Sequence, residues 1–186
     1  MLDARYAYRF VAIDGVRDGQ LILAGESLEA PLLIPKSGEL TAVACCAATL
    51  GEGLEDRVRT LFAARRAALA VVLDGIGNEI LMALTRRAQD HMLAAATGRG
   101  LSMAGELRSG DPGLALDTQR RILTLAAAGE LGISLSIGCV MRPLKSASMV
   151  LGVGLALPKV NWSRCDHCPT RPRCRVAAGA GAGVNI

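Results

Sequence analysis

LTAVACCAATLGEGLEDRVRTLFAARRAALAVVLDGIGNEI, residues 40–80, decides the architecture expected of this 186-residue chain. Residues 40–50 form a continuous apolar run closed by Gly51, the pattern of a buried strand. Cys45 and Cys46 are adjacent within it, so in a strand they point to opposite faces and cannot readily share a ligand. They read as small core residues. From residue 53 to 66, Leu54, Val58, Leu61 and Phe62 fall at helical spacing. Glu52, Glu55 and Asp56 stand near the start of that segment, where they complement the helix dipole. A second, longer helix follows over residues 67–96, with Leu69, Val72, Leu73, Ile76, Ile80 and Leu84 in period and Asp74, Glu79, Arg86 and Arg87 largely elsewhere. Gly75 and Gly77 inside it cost about 1 kcal/mol each relative to Ala, which points to close packing or approach by a ligand.

Working outward, YRFVAID and QLILAG read as strands with a turn over residues 15–19. Residues 98–100 end the long helix, and a linker runs through Met103 and Gly105 to Arg108. Asp111-Pro112-Gly113 is turn chemistry, and residues 117–128 read as a helix burying Ile122, Leu125 and Ala126. LGISLSIGCVM alternates Ile133, Leu135 and Ile137 against Ser134 and Ser136, a half-buried strand. RPLK makes a bend, and SASMVLGVG returns as the second arm of a hairpin. The fold class is therefore α+β, an antiparallel or mixed sheet with packed helices. A single domain is expected over residues 1–160, a cysteine-bearing extension over 161–176, and a disordered low-complexity tail over 177–186.

Composition narrows the function. The chain is 51% hydrophobic but only 3% aromatic, so packing rests on Ala, Leu, Val and Ile, as suits helices laid on a sheet. A net charge of +4 is too small to suggest nucleic acid as the partner. The longest apolar runs, such as AALAVVLDGIG, are broken by Asp74 and fall short of a membrane span. MLDARYAYRF lacks the apolar core of a secretory signal, so a cytoplasmic location and reduced cysteines are expected. The histidines are His91 and His167, which disfavours Ser-His-Asp catalysis, and His91 reads as a surface side chain. Walker, GxGxxG and HExxH motifs are absent, which disfavours a self-contained hydrolase or kinase.

Two constellations could carry chemistry. Cys165-x2-Cys168-x5-Cys174 places three thiolates beside His167 and several arginines, and nearby positive charge favours the thiolate. Zinc or an iron–sulfur cluster would need a fourth ligand, from His167, Cys139, solvent or a partner; ordinary reduced tail cysteines are the alternative. The second group is Arg108 before Pro112-Gly113, with Lys145, Ser146 and Ser148 at the hairpin bend. A guanidinium beside a Pro-Gly turn can take a ligand carboxylate; a solvated turn and hairpin tip are the alternative.

From about Thr41 to Arg175 the order of residues resembles the reactivation (activation) domain of vitamin B12-dependent methionine synthase, in its short free-standing form. AVACCAATLGEGLEDRVRTLFAARRAALAVVLDGIGNEI is similar to its strand, Thr-Leu-Gly turn and helix pair. The Met-x-Pro-x-Lys-Ser-x-Ser pattern at Met141, Pro143, Lys145, Ser146 and Ser148 is the most specific match, and the closing CxxC…C is also similar. The family's Arg-x-x-Pro-Gly-Tyr becomes Arg108-Ser109-Gly110-Asp111-Pro112-Gly113-Leu114, one residue longer and with Leu for Tyr. Its Thr-Glu-Ser becomes Ser136-Ile137-Gly138. The resemblance implies binding of S-adenosylmethionine by Arg108 and Pro112-Gly113, with Glu79 a candidate for its ammonium and Lys145, Ser146 and Ser148 adding polar contacts. It implies docking on a cobalamin-binding methionine synthase or another corrinoid protein, with flavodoxin or another electron donor reducing the cobalt. The chain is then an accessory of a methyltransferase in methionine biosynthesis. An iron–sulfur or thiol-redox protein, or a non-catalytic docking partner for another corrinoid methyltransferase, is the alternative.

Overall fold

The computed structural model describes residues 2–158 and residue 172. Its centre is a six-stranded, wholly antiparallel sheet in the order β3-β2-β1-β4-β8-β5. In chain order the strands are β1 (Arg5–Arg17), β2 (Gln20–Leu23), β3 (Glu26–Glu29), β4 (Glu39–Thr49), β5 (Ser102–Leu107), β6 (Ser134–Leu135), β7 (Met141–Arg142) and β8 (Ser146–Leu155). The helices are α1 (Gly53–Ala63), α2 (Ala67–Thr97) and α3 (Gln119–Leu125). β6 and β7 form a separate two-stranded ribbon.

The alternation read at Cys45 and Cys46 organises the interior. Cys45 joins Val43, Ala47, Val150 and the α3 residues Ile122 and Leu123 on one face of the sheet. Cys46 joins Ala44, Met149, Val153 and the α2 residues Ala88, Met92 and Ala96 on the other. Each cysteine is fully buried, one per core. Burial pushes both thiols up to about 12, with Cys46 adding to the rise at Cys45 and Arg108 opposing it at Cys46.

The two helices form where the periodicity predicts, but not with the expected face inward. Phe62, Leu69, Val72 and Ile76 are exposed. α2 buries Ala70, Gly77, Thr85, Ala88, Met92 and Ala96 instead, mostly small side chains that let it lie close to α1 and the sheet. α1 stops at Ala63 because Arg65 takes a left-handed φ of 58°, and the Arg66 N–H turns back to the Leu61 carbonyl at 2.9 Å. Gly77 of α2 serves close packing: a Cβ there would collide with Leu54 Cδ2 of α1. Nothing lies within 4 Å of a Cβ built at Gly75.

Several segments differ from the sequence reading. β1 runs through Gly15, and the reversal is Asp18-Gly19, both at positive φ (52° and 77°), flanked by the pair Arg17–Gln20. That is the two-residue hairpin turn whose twist matches its strands. The linker expected over 101–108 is the edge strand β5. Its alternation is hidden by Gly105, at φ 65°, where the register with β8 shifts between Ala104 and Glu106 as a bulge. The helix expected over 117–128 is three shorter pieces, a 3-10 turn at Leu116–Thr118, α3, and a second 3-10 turn at Ala128–Leu131 entered through Ala127 at φ 55°.

The expected hairpin is also rearranged. β6 pairs with β7 around a tight loop in which the Ser136 and Val140 backbones join at 3.0 Å, while β8 enters the main sheet between β4 and β5. β8 is buried at almost every position because α2 covers one face and α3 the other. The cysteine-bearing extension and tail, with Cys165, His167, Cys168 and Cys174, lie outside the described residues.

α2 is long and apolar enough to cross a bilayer by length and composition, with a mean hydropathy of 1.7 over 18 residues of which 11% are buried. The break expected at Asp74 does not interrupt it. Its second half packs Ala88, Met92 and Ala96 on the sheet.

Candidate functional site

Arg108 leaves the end of β5 on the α2 side of the sheet. Leu107 points into the α3-side core, so Glu106 and Arg108, two residues apart on a strand, share the opposite face. There the Arg108 Nε donates to Glu106 Oε1 at 3.0 Å, with the two side chains only 21% and 26% exposed. Gln89 of α2 donates to the other Glu106 oxygen, Oε2, at 2.6 Å. The Arg108 Nη1 reaches Met82 Sδ of α2 at 3.9 Å. The Arg108 N–H donates to Asp111 Oδ2 at 2.8 Å, so the start of the following turn is tied to the strand end.

A cleft of about 450 Å³ opens beside this cluster, between α2 and β5. Arg86, Gln89, Asp90 and Leu93 form one wall, Met103 and Glu106 the other. Apolar side chains with a few convergent polar groups are the usual make-up of a small-molecule site. Glu106 joins cleft and cluster, because it lines the cleft and holds Arg108.

The Pro-Gly turn is built by its own backbone. Gly110 N–H bonds Leu114 O at 2.8 Å and Leu114 N–H bonds Asp111 O at 3.0 Å. Gly113, at φ 79°, lies where a Cβ would press on Leu32 Cγ at 2.9 Å. Pro112-Gly113 therefore leans toward the 3-10 turn Pro31–Leu33, where Asp111, Gly113, Leu114, Glu29 and Pro31 line a smaller hollow of about 290 Å³.

Lys145 stands on the same face as Arg108. Its Nζ pairs with Asp74 Oδ1 and bonds Asn78 Oδ1, each at 2.7 Å, and the residue is buried. Asn78 and Met82 are one helical turn apart, so Lys145 and Arg108 meet α2 at successive turns. Glu79 is exposed and precedes Met82 by three residues, which puts it about 4.5 Å along the helix axis from the side chain that Arg108 touches. Ser146 and Ser148 are not brought to this cluster. Ser146 Oγ donates to Thr49 Oγ1 at 2.9 Å and Ser148 faces Ala47 across the strand pair, so both sit on the α3 side of β8, buried.

Glu106 and Gln89 are the functional candidates that sequence reasoning missed. The signal for Glu106 was its i, i+2 spacing from Arg108, which means a shared face only once 102–107 is read as a strand. Gln89 carried no signal of its own. His91 is exposed, as expected, and its Nδ1 meets the Tyr6 hydroxyl in a hydrogen bond. Among the described residues, no group of three His, Cys, Asp or Glu side chains is placed to hold a metal ion. No protein-family model matches the chain, and no curated protein matches it.

Proposed function

We propose that the chain binds S-adenosylmethionine in the cleft between α2 and β5 and presents it to a corrinoid protein, a cobalamin-dependent methionine synthase above all. The observation that carries the reading is Glu106, which lines the cleft and holds the Arg108 guanidinium beside it. An α-amino acid presents a carboxylate and an ammonium on one carbon. A guanidinium and a carboxylate side by side answer both charges, and a bidentate guanidinium–carboxylate contact is among the stronger polar interactions. Met103 and Leu151 supply apolar wall for the rest of the ligand. Gln89 holds Glu106 from α2, so the charged pair is oriented before ligand arrives.

In this reading Arg108 and Glu106 would hold the aminocarboxylate end of S-adenosylmethionine. Its sulfonium would supply a methyl group to a corrinoid reduced by an electron donor such as flavodoxin, and would leave as the thioether S-adenosylhomocysteine. The chain's own residues bind and orient; the cofactors carry the chemistry. Calorimetric titration of S-adenosylmethionine into anaerobically purified protein, with the visible spectrum recorded first, tests it. Saturable binding that weakens at least about tenfold in Arg108→Ala supports the reading. No binding by the folded protein overturns it, and an iron–sulfur absorption in that case would move the role to electron delivery through Cys165, Cys168 and Cys174.

A further inference from the structure

We infer that the tip of the α1–α2 helical hairpin is a membrane-contact element that dips into the headgroup region of an anionic bilayer. Phe62 of α1 is 50% exposed, and Leu69, Val71, Val72 and Ile76 of α2 are 42%, 62%, 57% and 49% exposed. Successive helix positions are turned by about 100°, so Val71 points away from the side carrying Leu69, Val72 and Ile76. The first turns of α2 therefore expose a broad apolar arc, while Ala70 and Gly77 face inward. The exposed apolar arc covers about half of the helix, wider than the stripe a partner helix covers, and suits a medium that wraps it.

Charge selects which bilayer. From residue 57 to 73 the chain carries Arg57, Arg59, Arg65 and Arg66 and no acidic residue. Arg59 pairs with Asp56 just outside that span, and Arg57, Arg65 and Arg66 are exposed. Arginine stems lie along apolar surface while their heads reach phosphate, the arrangement of interfacial helices on anionic lipid. Asp74, the first acid of α2, is held by Lys145.

The length fits a dip and not a crossing. Leu69 to Ile76 spans seven residues, about 10.5 Å of the α2 axis. This end of the hairpin thus lies along the surface, with its apolar side sunk the roughly 5–10 Å usual for interfacial helices and Arg65 and Arg66 at phosphate level. Beyond Asp74 come Glu79, Arg86, Arg87 and Asp90, and the second half of α2 is fastened to the sheet through Ala88, Met92 and Ala96. Neither Arg108 nor Glu106 belongs to this patch, which is separate from the ligand site.

Flotation of the full-length protein with vesicles tests it, using phosphatidylcholine alone and phosphatidylcholine mixed equally with phosphatidylglycerol. The expected result is flotation with the phosphatidylglycerol vesicles only, reversed by high salt. Arg65→Glu/Arg66→Glu should weaken it at least about tenfold. Phe62→Trp provides a second readout that does not depend on the charge variant folding: its emission, taken as a difference from wild type, should shift to the blue on anionic vesicles. The inference is overturned by no flotation, by flotation undiminished in the folded double variant, or by flotation with no Phe62→Trp shift, which would place the contact elsewhere. A concentration-dependent dimer in light scattering, abolished by Val72→Asp, would likewise overturn it in favour of a second copy covering the patch.

Discussion

Glu106 and Arg108 meet at 3.0 Å because Arg108, the first residue beyond β5, continues the alternation of the strand and shares a face with Glu106. Gln89 closes the cluster from the helix laid over it. The pair is thus held by two elements that do not depend on a ligand. It follows that removing either charge should damage binding far more than folding. Glu106→Gln is expected to weaken S-adenosylmethionine binding at least about tenfold while lowering stability by no more than about 1 kcal/mol, since the pair retains some solvent. Titration calorimetry and chemical denaturation on the same variant check both halves.

Lys145 should behave in the opposite way. It is buried, with an ion pair to Asp74 and a hydrogen bond to Asn78, and its backbone carbonyl accepts from the Leu50 N–H at 2.9 Å. Lys145→Met leaves the backbone bond and removes the ammonium, which should cost about 2 kcal/mol. A double-mutant cycle with Asp74→Asn in urea denaturation should return a coupling of about 1 kcal/mol, because Asp74 is 47% exposed and partly solvated already.

The two glycines of α2 should respond in opposite directions. Gly75→Ala meets open space and gains helix propensity, so stability should rise by about 0.5–1 kcal/mol. Gly77→Ala drives a methyl group into Leu54, and the overpacking should lower stability by about 1–3 kcal/mol despite the same propensity gain. Thermal melts of both variants, with Leu54→Ala added to Gly77→Ala, check this. The added change should recover part of the loss specific to Gly77→Ala.

Cys45 and Cys46 set an alkaline limit on the fold. Both thiols are pushed up to about 12 by burial from an ordinary 9.0, so the folded state holds their protons more tightly than the unfolded chain. Their contribution is complete below pH 9 and is lost as pH rises from 9 toward 12. Denaturation midpoints should be flat with respect to these groups below pH 9 and fall above it, with a shallower fall in Cys45→Ala/Cys46→Ala. In the native protein near neutral pH, a thiol reagent should modify the partly exposed Cys139 and spare Cys45 and Cys46.

The sequence was most readable where the governing interactions are local. The spacing of apolar residues from Leu69 to Leu84 and the glycines after Thr97 bounded α2 to within a residue, because helix period and termination act over a few neighbours. The adjacency of Cys45 and Cys46 already implied two cores, since a strand cannot place both on one face. Reading failed at Gly105, where a bulge interrupts the alternation that marks a strand, and with β5 went the shared face of Glu106 and Arg108. It failed again at Ser146–Leu155, whose local pattern suited a hairpin with its immediate predecessor.

What the sequence by itself determined, then, is the α+β class, the helix pair, the opposed cysteines and Arg108 at a turn. Only the tertiary structure decided that β8 runs between β4 and β5, that Gln89 reaches Glu106 from α2, and that Ser146 and Ser148 face away from Arg108. The physical reason is range. Periodicity and turn geometry are set by residues a few positions apart. Strand partners are chosen by burying two faces at once against α2 and α3, a choice made by the whole assembled core.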